Sequence, residues 1–451
     1  MSEASLQRYP LPFSDQGMYV MRGFADAQID LVLRAQGRFD YPRLCRALRL
    51  FFDAEPVAGC RLVPGWWRGW WVRRADLDEI APWQLIETED PEGALGAALQ
   101  TQVHCSSDPL IHLWLIRGEA DTLVLKVSHV LADAGGVKDA AYRISELYRA
   151  LKADPEYRPE PNLSTRSLRQ LLPHLGLRGI WGAWVQGLRN AFGTLRGGLR
   201  WSFPSRWPER LGLGAEAGDL RQLVVPLAGP GAGDRFQALK AWGKARGATL
   251  NDLVMAAYFR ALRRLGAAEA RLRATTTADL RLHHLPEGRA PAVCNLSGFN
   301  YLDIGRELGA SFEETVAKVS AETRRKKAGS IGLGDPAAIA VWAKTFPFAI
   351  AGWLAHQLCK TLPRTTPHPP LTNMGPIDAS RLDFGELEFD WAYTAVPILF
   401  PPLVGFGLSG FKETLTLTAG FCASGIEEAQ VREFLESMVA ELTELAVQKA
   451  K

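Results

Sequence analysis

The stretch Ser128-His129-Val130-Leu131-Ala132-Asp133-Ala134-Gly135-Gly136 decides how this chain is to be read. Ahead of it, Thr122-Leu-Val-Leu-Lys-Val127 is β-branched and apolar enough for a buried strand. Behind it, Val137, Ala140, Ala141, Ile144, Tyr148 and Leu151 recur at helical spacing, which predicts a helix over 134–151. Asp133 falls at the N-cap of that helix, where a carboxylate accepts from the first backbone N–H groups. His129 therefore belongs to a strand-to-helix junction. Imidazole titrates near neutrality, so a histidine held there is a candidate general base. Asp133, four residues on, is placed either to orient it or to brace the loop.

Further segments follow in a definite order. Asp108-Pro-Leu-Ile-His-Leu-Trp-Leu115 precedes the loop, and Thr249-Leu-Asn-Asp-Leu-Val-Met-Ala-Ala-Tyr258 predicts a capped helix. Ala278-Asp-Leu-Arg281, Val293-Cys-Asn-Leu-Ser-Gly298, Thr372-Asn-Met-Gly-Pro376 and Asp383-Phe-Gly385 come after it. This set, with its His-x-x-x-Asp loop, resembles acyltransferases of the chloramphenicol acetyltransferase-like superfamily. That group includes condensation domains of non-ribosomal peptide synthetases, polyketide-associated acyltransferases, wax-ester synthases and alcohol acetyltransferases. The resemblance spans residues 5–445 or so. Two positions depart from it: Ser128 stands where many condensation domains carry another histidine, and Ala134 displaces the motif glycine to Gly135.

The resemblance implies a mixed α/β (α+β) fold of two lobes, each a mixed sheet with flanking helices, forming a V with a tunnel between them. It implies that His129 deprotonates an alcohol or amine acceptor, which attacks a thioester without a covalent acyl-enzyme. Asp133, Gly135 and Arg281 would support the site, the aspartate through the arginine. Asn295, Ser297 and Asn373 are the candidates for substrate or oxyanion contacts. The co-substrate would be acyl-CoA or a phosphopantetheinyl carrier protein, with no bound cofactor. An ester-forming enzyme with a hydrophobic or lipid acceptor is favoured over a peptide-type, amide-forming condensation enzyme, given the apolar segments and the single histidine. A catalytically silent relative that binds a carrier protein or lipid is the reading from another class, kept open by Ala134.

Composition narrows the field. Hydrophobic residues make up 47% and charged residues 22% of the 451, as in an ordinary globular protein. A net charge of +3 gives no reason to expect a nucleic-acid partner. The six cysteines (Cys45, Cys60, Cys105, Cys294, Cys359, Cys422) show no Cys-x-x-Cys, and no His/Cys ligand spacing predicts a metal. They suit the reduced thiols of a cytoplasmic protein, and the first residues hold no apolar signal-peptide core. His283-His284 is a rival pair, but no acid or cysteine at ligand spacing accompanies it. No phosphate-cradling glycine loop or Gly-x-Ser-x-Gly elbow supports nucleotide or serine-esterase chemistry.

Three regions follow: an N-terminal lobe over 1–160, a basic amphipathic segment over 161–219, and a C-terminal lobe over 220–451. The Trp66-Trp67-Arg-Gly-Trp70-Trp71 run is expected to pack between strand and helix, or else to wall the substrate tunnel. In the middle segment, Leu177, Trp181, Trp184, Leu188, Phe192, Leu195 and Leu199 recur every three or four residues. Residues 166–210 hold eight arginines and one acid, Glu209. That pattern fits either a helix covering the core between the lobes or an anionic membrane surface on the inner face of the membrane. The apolar stretch Ala337–Leu358 is interrupted by Lys344, Pro347 and His356, which predicts two short helices, buried or dipping into a membrane, rather than a span.

Overall fold

The computed structural model of the protein describes residues 7–196, 219–228, 233–265, 271–334, 345–361, 368–401 and 403–448. Two sheets organise it. The first runs in the order Glu388–Ala395, Gln28–Gln36, Asp121–Ser128, Ile111–Arg117, Trp83–Glu87, antiparallel except for its last pair. Alternation along the strands sends Leu31, Leu33, Leu123, Leu125 and Val127 to one face, where helices Tyr41–Ala54 and Ala134–Ala153 cover them. The opposite face carries Val32, Val124, Ile116 and Tyr393 and meets helix Pro91–Gln100. Both faces are buried, which explains why Thr122–Val127 is almost uninterruptedly apolar.

The second sheet runs Leu371–Ile377, Gly405–Phe411, Thr414–Cys422, Leu220–Ala228, with its first pair parallel. Its core is shared with helices Leu250–Arg264 and Glu428–Gln448, the latter through Val431, Phe434, Met438 and Leu442. Thr249 and Asp252 close the expected capping box. The Ser424 hydroxyl donates to Asp219 at 2.6 Å, ahead of the last helix.

The chain crosses between the sheets late. Strand Glu388–Ala395, from the part assigned to the second lobe, pairs with Gln28–Gln36 as an edge of the first sheet. The Asp383-Phe-Gly385 turn makes that crossing possible. Phe384 is buried among Phe39, Tyr148 and Phe389, Asp383 pairs with Arg149, and Gly385 takes φ +77°, which favours glycine. A boundary at residue 220 therefore does not divide the sheets cleanly.

Two sequence expectations need correction. Only Trp71 of the tryptophan run is core; its Nε1 donates to Asp15 at 3.0 Å. Trp66, Trp67 and Trp70 are exposed, because strands Cys60–Val63 and Trp70–Arg73 leave the first two in the intervening turn. In the middle segment, helix Leu172–Arg196 breaks its helical geometry at Gly176 and turns Leu177, Trp181, Trp184 and Leu188 outward, not onto the core. Residues 197–210 of that segment, and 337–344 of the second apolar stretch, lie outside the described residues. The rest of that stretch forms helix Phe348–Thr361, with Phe348 buried beside the Tyr19 ring. Among the described residues, no helix is long and apolar enough to cross a membrane.

Candidate active site

Strand Asp121–Ser128 delivers His129 to the site. The Ser128 N–H donates to Leu110 O and the His129 N–H to Ala27 O, each at 2.8 Å, so the loop leaves the sheet still tethered to both neighbours. Leu131 N–H closes a turn on Ser128 O at 2.8 Å. His129 is half-buried, and its Nδ1 is enclosed without a hydrogen-bond partner among the described residues.

Four buried side chains, Asn295, Arg166, Asp133 and Arg281, hold this turn. Asn295 Nδ2 donates to the carbonyls of His129 and Val130, both at 3.0 Å, and to Asp15 Oδ1 at 3.1 Å. Arg166 donates to Leu131 O at 2.7 Å and to Val293 O, and pairs with Asp15 at 2.9 Å. Asp133, 3% exposed, accepts from Gly136 N–H at 2.9 Å and from Leu296 N–H at 2.6 Å. Arg281 Nη1 lies 2.9 Å from the Asp133 carboxylate, while Nη2 donates to Cys294 O at 2.6 Å. Asn295 and the Asp133–Leu296 bond join the 129–136 loop to the 293–296 segment directly, and Arg166 and Arg281 bridge the two. The two are effectively one structural unit.

The glycines belong to the same clamp. A Cβ on Gly135 would stand 2.7 Å from Arg281 Nη1, and one on Gly136 would stand 2.7 Å from Cys294 O. Ala134, by contrast, opens the helix at its first position. The displaced glycine thus lies where the arginine needs the space.

Electrostatics follow from burial. Desolvation lowers the His129 pKa, opposed by the Asp133 charge and by polar groups of Asn295, Ala132 and its own backbone. Burial alone would raise the Asp133 pKa, but the Arg281 guanidinium and two backbone N–H groups hold it below the usual carboxylate value. His129 therefore favours the neutral state that can accept a proton, and Asp133 stays ionised against its arginine.

A cavity of about 550 Å³ opens beside the loop, lined by Ser128 and Val130 on either side of His129. Its wall is mixed: Phe24, Phe348 and Phe400, drawn from distant parts of the chain, stand with Arg22, Gln102 and His104. Asp26 and Gln28 add buried polar groups, and burial pushes the Asp26 carboxyl up to about 6 against the pull of Lys126. A more open cleft of about 940 Å³ is lined by Glu55, Arg143, Arg289 and Arg381 but by no residue of the 128–136 loop. Size alone does not mark the site.

The remaining sequence candidates separate. Asn295 joins the loop, but as a brace whose amide hydrogens are committed to backbone carbonyls and Asp15; only its Oδ1 is left unpartnered. Ser297 opens strand Ser297–Gly305 opposite Asp279. Asn373 bonds to Asn251 Oδ1 and to Gly375 N–H, both at 2.9 Å. No hydrogen bond joins Ser297 or Asn373 to the loop among the described residues. His284 bonds to Ile331 O, and the described residues contain no cluster of three or more His, Cys, Asp and Glu side chains suited to a metal. Sequence reasoning missed Asp15 and the role of Arg166, which it grouped with surface arginines. Neither had a local signal: their partners are 151 positions apart.

No protein-family model matches the chain, and no curated protein matches it in sequence. Solved structures do. Polyketide synthase associated protein 5 from Mycobacterium tuberculosis superposes with a TM-score of 0.67 at 16% identity, covering 98% of both chains. The first condensation domain of the CDA synthetase gives 0.69 at 19% identity, over 98% of this chain and 96% of that one. Trichothecene 15-O-acetyltransferase from Fusarium sporotrichioides gives 0.72 at 12% identity, over 99% and 96%. Over essentially its whole length, this chain has the two-lobed, chloramphenicol acetyltransferase-like fold of condensation domains.

Proposed function

We propose that the protein is an acyltransferase that moves an acyl group from a thioester to an alcohol or amine, with His129 as general base. The observation that carries this reading is the junctional imidazole, flanked by the cavity-lining Ser128 and Val130 and held by a loop whose aspartate is engaged by Arg281. His129 takes the acceptor's proton as its oxygen or nitrogen attacks the thioester carbonyl. Collapse of the tetrahedral intermediate expels the thiolate, and the imidazolium returns the proton to that sulfur. No acyl-enzyme is required.

The donor is acyl-CoA or an acyl-carrier protein, and the acceptor has a hydrophobic body. The aromatic rings of Phe24, Phe348 and Phe400 on the cavity wall support the latter. So do the exposed Trp66 and Trp67, whose carbonyls accept from Ala349 and Phe348 beside the cavity residues Phe348 and Gly352. Ester formation with a lipid-like alcohol is the favoured outcome and amide formation the alternative, in a protein working in the cytoplasm. Free thiol released from a medium-chain acyl-CoA, with a long-chain alcohol or amine present, tests the reading. Acceptor-dependent release supports it; none with acyl-CoA or an acyl-carrier protein overturns it.

A further inference from the structure

We propose that helix Leu172–Arg196 docks the protein on the surface of an anionic lipid bilayer. The inference is independent of the chemistry at His129.

The helix is built the wrong way round for a helix held by its own apolar stripe. Beyond Leu175, which packs inward, its inner side at Gly179, Gly182 and Ala183 is made of small residues. Ala183 is buried with Leu280, Cys294 and Leu296, Gly179 O accepts from Ser330 Oγ, and a Cβ on Gly182 would stand 2.5 Å from that hydroxyl. The large side chains face away: Leu177 is 88% exposed, Trp181 72%, Leu188 57% and Trp184 41%. Spacings of four, three and four residues align them along one face. Contiguous apolar exposure of this kind marks an interaction surface.

Charge selects the occupant. Arg169, Arg178 and Arg189 are exposed, and no carboxylate among the described residues pairs with them. Between Glu160 and Glu209 the sequence contains no aspartate or glutamate. Two copies of this face would bring arginine against arginine, which disfavours a self-interface. A bilayer carrying anionic headgroups satisfies both halves of the pattern. Tryptophan and leucine enter the interfacial layer while arginines remain at headgroup level. Arg166 takes no part, being buried against Asp15. Because the inward side rests on Cys294 and Leu296, the docked helix would lie directly behind the segment that clamps the His129 loop.

Co-sedimentation of the full chain with phosphatidylcholine vesicles, with and without roughly one-third phosphatidylglycerol, tests the proposal. Binding is expected only with the anionic lipid and should fall on the order of tenfold between about 0.1 M and about 0.5 M salt. Trp181→Ser/Trp184→Ser and Arg178→Glu/Arg189→Glu should each lower partitioning on the order of tenfold with an unchanged thermal melt, because all four side chains are exposed. Equal recovery in the supernatant with and without phosphatidylglycerol would overturn it. So would binding indifferent to both double variants, or a wild-type dimer that the tryptophan substitutions dissociate.

Discussion

Arg281 Nη1 stands 2.9 Å from Asp133 Oδ1 and 3.0 Å from Oδ2, so a cation, not the imidazole, occupies the aspartate of the His129–Asp133 loop. Asp133 also receives the Gly136 and Leu296 N–H groups. Its job is to fix the loop. Asp133→Ala would remove an N-cap and strip the buried guanidinium of its shortest ion pair, leaving Asp279 at 3.2 Å and Asp139 at 4.0 Å, a cost of about 3 kcal/mol. His129→Ala removes a half-buried ring that holds nothing else in place. Thermal melts should separate the pair, with Asp133→Ala far below wild type and His129→Ala near it, although both lose rate.

The two glycines predict a graded response. At Gly136 a new Cβ meets backbone, Cys294 O at 2.7 Å, which cannot move without shifting the segment that braces the loop. At Gly135 it meets side-chain ends, the Arg281 guanidinium at 2.7 Å and Asp279 Oδ2 at 3.0 Å, rather than backbone. Gly136→Ala should therefore cost about 1–3 kcal/mol and outweigh the helix propensity gained. Gly135→Ala should cost less stability, and its effect should fall on rate. Urea denaturation of both variants checks the order.

Arg166 is the test of whether the middle segment helps hold the site. Arg166→Met would strand the Asp15 carboxylate and free the Leu131 carbonyl, for about 3 kcal/mol or more. Arg169→Met, on the exposed side of the same segment, should stay within about 0.5 kcal/mol of wild type. Equal melting temperatures for the two would refute the clamp.

The pH dependence has two parts of different origin. His129 has its pKa lowered by burial, so its neutral, base-competent form persists below the ordinary 6.5. The acid limb of kcat/KM should therefore fall below pH 6.5 and persist in Asp26→Asn. Stability behaves otherwise. Asp26 is raised from 3.8 to about 6, so the folded state keeps a proton that the unfolded chain releases. That contribution is present below pH 3.8 and lost as pH rises through about 6. Asp26→Asn should thus be more stable than wild type above pH 6, with the gain vanishing below pH 4.

What the sequence revealed was what is local. The strand, the loop and the helix 134–151 could be read because alternation, helical spacing and an N-cap lie within thirty residues of one another. Arg281 was found only through the resemblance, since its partner Asp133 is 148 positions away. Asp15 and Arg166 were not found as site supports at all. Nothing in a strongly basic stretch distinguishes the one arginine that is buried. The inverted face of helix Leu172–Arg196 was half legible: periodicity placed Leu177, Trp181, Trp184 and Leu188 together but could not say whether core or solvent lay opposite. The answer depended on Ser330 and Leu296, which approach glycine and alanine from far along the chain.

The central claim is that His129 is the base. The most direct measurement is kcat/KM for acceptor-dependent thiol release from acyl-CoA by wild type and His129→Ala, on preparations with matching melts. General-base catalysis of this kind contributes about 10²–10⁴-fold, and a loss of that size is the predicted result. A His129→Ala enzyme that transfers acyl groups at the wild-type rate would contradict the account and move the chemistry away from this loop.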